Sequence, residues 1–174
     1  MRIRQIDYST APAATRRAHD DHVRIARITN MKRTLLRSVP AFDALMTWYT
    51  LRDATIPILG ERLTTIFAHA ISAETDCLIC STFFRRILID AGEDPDHLAL
   101  DVREQAVVAF ARRLGQTPFT VPDEIFASMR EFFDEEAIVT LTAFGALMVA
   151  TNVVNNALEI PLDDYLEPYR REER

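Results

Sequence analysis

Residues 137–154 read AIVTLTAFGALMVATNVV, eighteen positions without a charged side chain. That is close to the ~20 residues needed to cross a bilayer. The run carries three threonines, Gly145 and Asn152, and acidic residues lead into it. It therefore reads as a central helix of a water-soluble bundle, buried on every side. Such a helix needs other elements to cover it, and the chain supplies amphipathic ones. Leu63, Ile66, Phe67 and Ala70 recur at helical spacing in ERLTTIFAHAISA, as do Val107, Val108, Ala111 and Leu114 in DVREQAVVAFARRLG. Four glycines and little Val/Ile/Thr alternation in 174 residues leave no pattern for a sheet. The expected fold class is all-α, a single-domain helical bundle.

Further helices are expected from about Ala13 to Arg27, over TNMKRTLLRSVP, and over SVPAFDALMTWYTLRDAT with Ser38 as N-cap and Pro40 in the first turn. Three segments result: a partly helical basic arm over 1–27, a helical domain over 28–165 and a charged, frayed tail over 166–174. The net charge of −6 hides an asymmetry. Residues 1–39 hold nine Lys/Arg against three Asp/Glu, and the remainder eleven against twenty-three. A basic arm on an acidic body packs on that body or on a neighbouring subunit. No basic stripe interleaved with aromatics points to nucleic acid. The N-terminus MRIRQIDYSTAPAATRR lacks the apolar core of a secretory signal. A cytoplasmic location, with no membrane partner, is the expectation.

In that reducing setting the two cysteines, Cys77 and Cys80 in ETDCLICSTFFRR, suggest redox or metal chemistry rather than a structural bridge. Three residues apart on a helix, they share nearly one face. A position in the first turn favours the Cys77 thiolate through unpaired N–H groups, while Glu74 and Asp76 oppose it. Zinc would need a second CxxC or a His-x₃₋₅-His pair, and neither is present, so no metal is expected. Two buried cysteines acting as small hydrophobes are the bland alternative.

The order CxxC, DAGEDPDHL, REQAVVAFARRLGQTP and DEEAIVTLTAFGALMVATNVVNNALEI, with Asn152, Asn155 and Asn156 near the end, resembles the carboxymuconolactone decarboxylase/alkylhydroperoxidase D-like family over residues 28–165. The resemblance implies an all-helical homo-oligomer, a trimer, hexamer or dimer. It also implies a thiol-disulfide peroxidase without cofactor, taking a hydroperoxide and regenerated by a dithiol reductant protein. In the peroxidase branch a histidine four residues after the second cysteine and a glutamate twelve before the first form a proton relay. Those positions are Phe84 and Thr65 here. By position, Cys80 would attack the peroxide and Cys77 would resolve the sulfenic acid. His69 is the one in-chain candidate for a substitute base. The resemblance also admits a decarboxylase-like lyase, or a non-catalytic, redox-sensing oligomer.

Overall fold

The computed structural model describes residues 1–171. Among these there is no strand. The helices are α1 (Ala13–Val23), α2 (Asn30–Leu35), α3 (Val39–Met46), α4 (Trp48–Leu59), α5 (Glu61–Glu74), α6 (Leu78–Asp90), α7 (Val102–Leu114), α8 (Asp123–Arg130) and α9 (Glu135–Ala157), followed by a 3₁₀ turn (Asp164–Tyr169).

Local chemistry sets the boundaries. Ser38 caps α3 through the Ala41 N–H, with Pro40 in the first turn. Asp101 and Glu104 form a reciprocal capping box on α7. Asp134 caps α9, and Glu135 and Glu136 sit where the helix dipole favours them. Thr47 divides the expected helix over residues 38–55 into α3 and α4. Its hydroxyl donates to the Ala44 carbonyl at 2.6 Å, diverting an acceptor from the helical ladder.

Helix α5 is the hub, packing on α4, α6, α7 and α9. Its buried residues Leu63, Ile66, Phe67 and Ile71 meet Phe110, Leu141, Phe144 and Met148 in one core. Each such large apolar side chain contributes ~1.5–3 kcal/mol when fully buried. Close approach of α9 depends on Gly145. A Cβ there would lie 2.5 Å from Leu114 Cδ1 and 3.3 Å from Ile71 Cδ1.

Two expectations change. Helix α9 is buried on one side only: Ile138, Leu141, Phe144, Met148, Thr151, Asn152 and Asn155 face the core. Val139 (67% exposed), Val153 (56%) and the exposed Ala143, Ala146 and Ala150 form a bare stripe opposite. An all-round apolar composition did not reveal that one face carries only small side chains. The chain after residue 165 is also docked rather than frayed as far as it is described. Leu166 is buried and the Tyr169 hydroxyl donates to Asp90 at 2.8 Å. Residues 172–174 of the expected tail lie outside the described residues.

The basic arm packs on its own body. Arg2 N–H donates to the Leu158 carbonyl at 2.9 Å, and Arg37 donates to the Arg4 and Gln5 carbonyls.

Candidate functional site

Helix α5 ends at Glu74, and the chain reaches α6 through Thr75, Asp76 and Cys77. Asp76 takes φ +49, a left-handed conformation that aspartate tolerates better than most residues. Cys77 is extended (φ −85, ψ 98) and is the N-cap of α6, so its sulfur sits beside the first unpaired N–H groups of that helix. Three asparagines of α9 hold this turn from across the core. Asn152 donates to Thr75 Oγ1 at 2.7 Å, and Asn156 to the Thr75 carbonyl at 2.9 Å. Asn155 donates to both sulfurs, at 3.3 Å to Cys80 and 3.6 Å to Cys77.

Both cysteines are free and buried, Cys77 1% and Cys80 8% exposed. The Cys80 thiol donates to Cys77 and is the main reason the Cys77 pKa falls to about 7. Burial opposes the fall, while the Cys80 and Ile79 N–H groups and the Asn155 amide add to it. Cys80 moves the other way: it gives its hydrogen bond to Cys77, is buried, and faces the negative charge that Cys77 would carry. The two thiols titrate as a pair, one proton leaving easily and the other held firmly. Glu74 turns away, accepting from Gln116 at 2.9 Å and lying 3.8 Å from Arg112.

Thr65 and Phe84, at the relay positions of the resemblance, line one cavity of about 580 Å³ together with Trp48, Tyr49 and Arg62. The Thr65 hydroxyl is tied to its own helix through the Glu61 carbonyl at 3.0 Å. Trp48, Tyr49, Phe83 and Phe84 also line a smaller cavity of about 100 Å³.

His69 lies elsewhere. It lines a cleft with Asp76, Ser81, Arg85, Asp96 and Arg171, which neither cysteine lines. Burial, reinforced by the positive charge of Arg85, pushes its pKa down to about 4. The structure therefore brings Cys77 and Cys80 together, while His69 lines a cleft to which neither cysteine contributes. Sequence reasoning missed Asn155 as the sulfur partner. The only signal was its place in the Asn152/Asn155/Asn156 cluster. Among the described residues, no three His, Cys, Asp or Glu side chains are grouped to hold a metal ion.

No protein-family model matches the sequence, and no curated protein matches it. Solved structures do. The debrominase Bmp8 without ligand superimposes with a TM-score of 0.76 at 18% identity, over 95% of this chain and 94% of that one. A cysteine-to-alanine variant of Bmp8 in complex with 2,3,4-tribromopyrrole gives 0.78 at 17% identity, over 97% and 95%. The alkylhydroperoxidase AhpD core of an uncharacterized peroxidase-related protein from Ralstonia eutropha JMP134 gives 0.73 at 19% identity, over 95% and 93%. The chain has the AhpD-like fold. Within that fold the cysteine pair lies at the start of α6, and Phe84 and Thr65 stand where the resemblance places histidine and glutamate.

Proposed function

We propose that this AhpD-like protein is a thiol-disulfide oxidoreductase that reduces a hydroperoxide through Cys77 and Cys80. The observation that carries the reading is the Asn155 amide donating to both sulfurs of a free, buried pair at a helix N-terminus. Fixed donors of this kind stabilise a thiolate without a separate base.

The resemblance implied attack by Cys80, whereas the hydrogen bonds favour the thiolate on Cys77. In the step we propose, the Cys77 thiolate attacks the terminal peroxide oxygen and the O–O bond breaks. The leaving alkoxide takes the Cys80 proton, giving alcohol, a Cys77 sulfenic acid and a Cys80 thiolate. Cys80 then attacks the Cys77 sulfur, expelling hydroxide, which takes a proton from solvent and leaves as water. A dithiol reductant protein returns the disulfide to two thiols. One proton held between the sulfurs thus replaces the relay missing at Thr65 and Phe84.

A second electron acceptor is supported by the aromatic cavities beside α6 and by the likeness to a debrominase. An aryl bromide and two thiols would give the arene, a disulfide, a proton and bromide. We also propose self-association through the bare stripe of α9, since Val139 and Val153 are more than half exposed. Sedimentation at micromolar concentration should then give a multiple of 19.8 kDa, and a monomer would refute it.

The deciding experiment adds an organic hydroperoxide to reduced protein and follows both thiols by intact mass. Loss of two hydrogens with no added oxygen is expected. Two unchanged thiols under excess peroxide would remove the peroxidase reading.

A further inference from the structure

The cavity of about 100 Å³ between α2, α4, α6 and α9 contains two charged groups that the thiol chemistry does not use. Lys32 is 6% and Asp163 7% exposed, both in a wall that is mainly apolar and aromatic, with Met31, Met46 and Met148 beside the rings already named and Thr29, Thr151 and Tyr165 as its other polar residues. Lys32 Nζ donates to the Arg27 carbonyl at 2.8 Å and the Tyr49 hydroxyl at 2.9 Å, leaving one of its three donors unspent. Asp163 Oδ1 accepts the Asn30 N–H at 2.9 Å, but its buried Oδ2 has no partner among the described residues. Burial holds the Asp163 carboxyl above its usual range and the Lys32 amine down at about 8. A buried carboxylate oxygen without a donor is strongly unfavourable, so a group that donates to it is strongly favoured.

We propose that this cavity is a binding site for a small neutral aromatic molecule carrying one O–H or N–H, which donates to Asp163 Oδ2. The size allows no more than a single ring, since the volume of about 100 Å³ is below the ~150 Å³ of an apolar cavity that takes up benzene. The lining argues for an aromatic body, because methionines and ring faces adapt to a flat guest. Lys32, and Arg33 with Nη2 4.0 Å from Asp163 Oδ1, already supply positive charge around the carboxylate, so a neutral donor suits Oδ2 better than a cation. Neither cysteine lines the cavity, so the proposal does not depend on which electron acceptor the thiols use.

Trp48, the chain's single tryptophan, lines the cavity and reports on it. Phenol should give a saturable change in Trp48 fluorescence, matched by calorimetry. Anisole, in which a methyl group replaces the donor hydrogen, should bind about ten-fold more weakly or worse, the scale of a hydrogen bond to a charged group. Asp163→Asn keeps an oxygen for Asn30 and turns an amide N–H₂ toward the ligand, so the phenol preference should vanish or invert. Leu45→Phe, which fills the cavity, should weaken both ligands. A Cys77→Ser/Cys80→Ser double variant should bind phenol unchanged, which separates this test from that of the thiol chemistry. Equal affinity for phenol and anisole in the wild-type protein would overturn the proposal. So would the absence of saturable phenol binding, or a phenol preference that survives Asp163→Asn.

Discussion

The two flanks of α6 handle polar groups in opposite ways. Toward the core, Cys77 and Cys80 are enclosed and both accept from the Asn155 amide, and backbone N–H groups at the start of α6 favour the Cys77 thiolate. Toward the cleft, His69 lies with Arg85, Asp96 and Arg171, which pair with one another at 2.8 and 3.2 Å. The enclosed flank lowers a thiol pKa chiefly through the neighbouring Cys80 thiol, with the backbone N–H groups and the Asn155 amide adding to it. The open flank carries the titratable base but spends its charges on ion pairs. Proton affinity at the sulfurs is thus set first by the pair itself and then by the backbone and amide donors around it.

The largest expected effect breaks that contrast at its centre. Cys77→Ser should abolish peroxide-driven thiol loss, while Cys80→Ser should stop at a Cys77 sulfenic acid trapped by dimedone. The reverse pattern would restore Cys80 as the attacking sulfur. Next in size is supplying the missing base. Phe84 and Thr65 face the same cavity, so Phe84→His with Thr65→Glu should raise the peroxide rate by part of the ~10²–10⁴-fold that general-base assistance can give. An unchanged rate with intact helical circular dichroism would show that those positions do not form a relay.

Asn155→Ala should move the midpoint of thiolate formation upward from about 7 by roughly one unit, because a hydrogen bond to a charged group is worth about 1.5–3 kcal/mol. Thiolate absorbance against pH measures it, and an unmoved midpoint would leave the Cys80 thiol and the helix terminus as the causes. His69→Ala should leave that midpoint in place, which sharpens the contrast between the flanks.

The smallest effect is on stability. His22 and His69 have folded pKa values of about 4, below the ordinary 6.5, chiefly because burial disfavours the imidazolium. Between those values the unfolded chain binds more protons. Stability from both groups is therefore fully present above about pH 6.5 and is lost as pH falls toward 4. Urea midpoints across that window should decline, and less steeply in His69→Gln.

Helices α5 and α7 were legible because their apolar positions keep a three- and four-residue spacing. The placement of Cys77 at a helix start was legible from the apolar run that follows it. Other features depend on tertiary geometry. Asn155 meets Cys80 across 75 positions of chain, and only the packing of α9 on the α5–α6 turn brings them together. Whether His69 faces the sulfurs or the cleft depends on how α5 and α6 are rotated against each other, which periodicity along one helix does not encode. Lys32 and Asp163 read as ordinary surface charges until the two ends of the chain meet. The break at Thr47 carries neither glycine nor proline, so no local signal marks it.

Helix α9 joins two otherwise separate surfaces by a rigid rod. Its inner edge holds the amide that both sulfurs share, and its outer edge is the stripe from Val139 to Val153. A second copy clamped on the stripe would restrain the rod, and forming the disulfide removes the thiolate that Asn155 serves. Thermodynamic reciprocity then requires that whatever factor assembly applies to the dithiol–disulfide balance, oxidation applies to the affinity between copies.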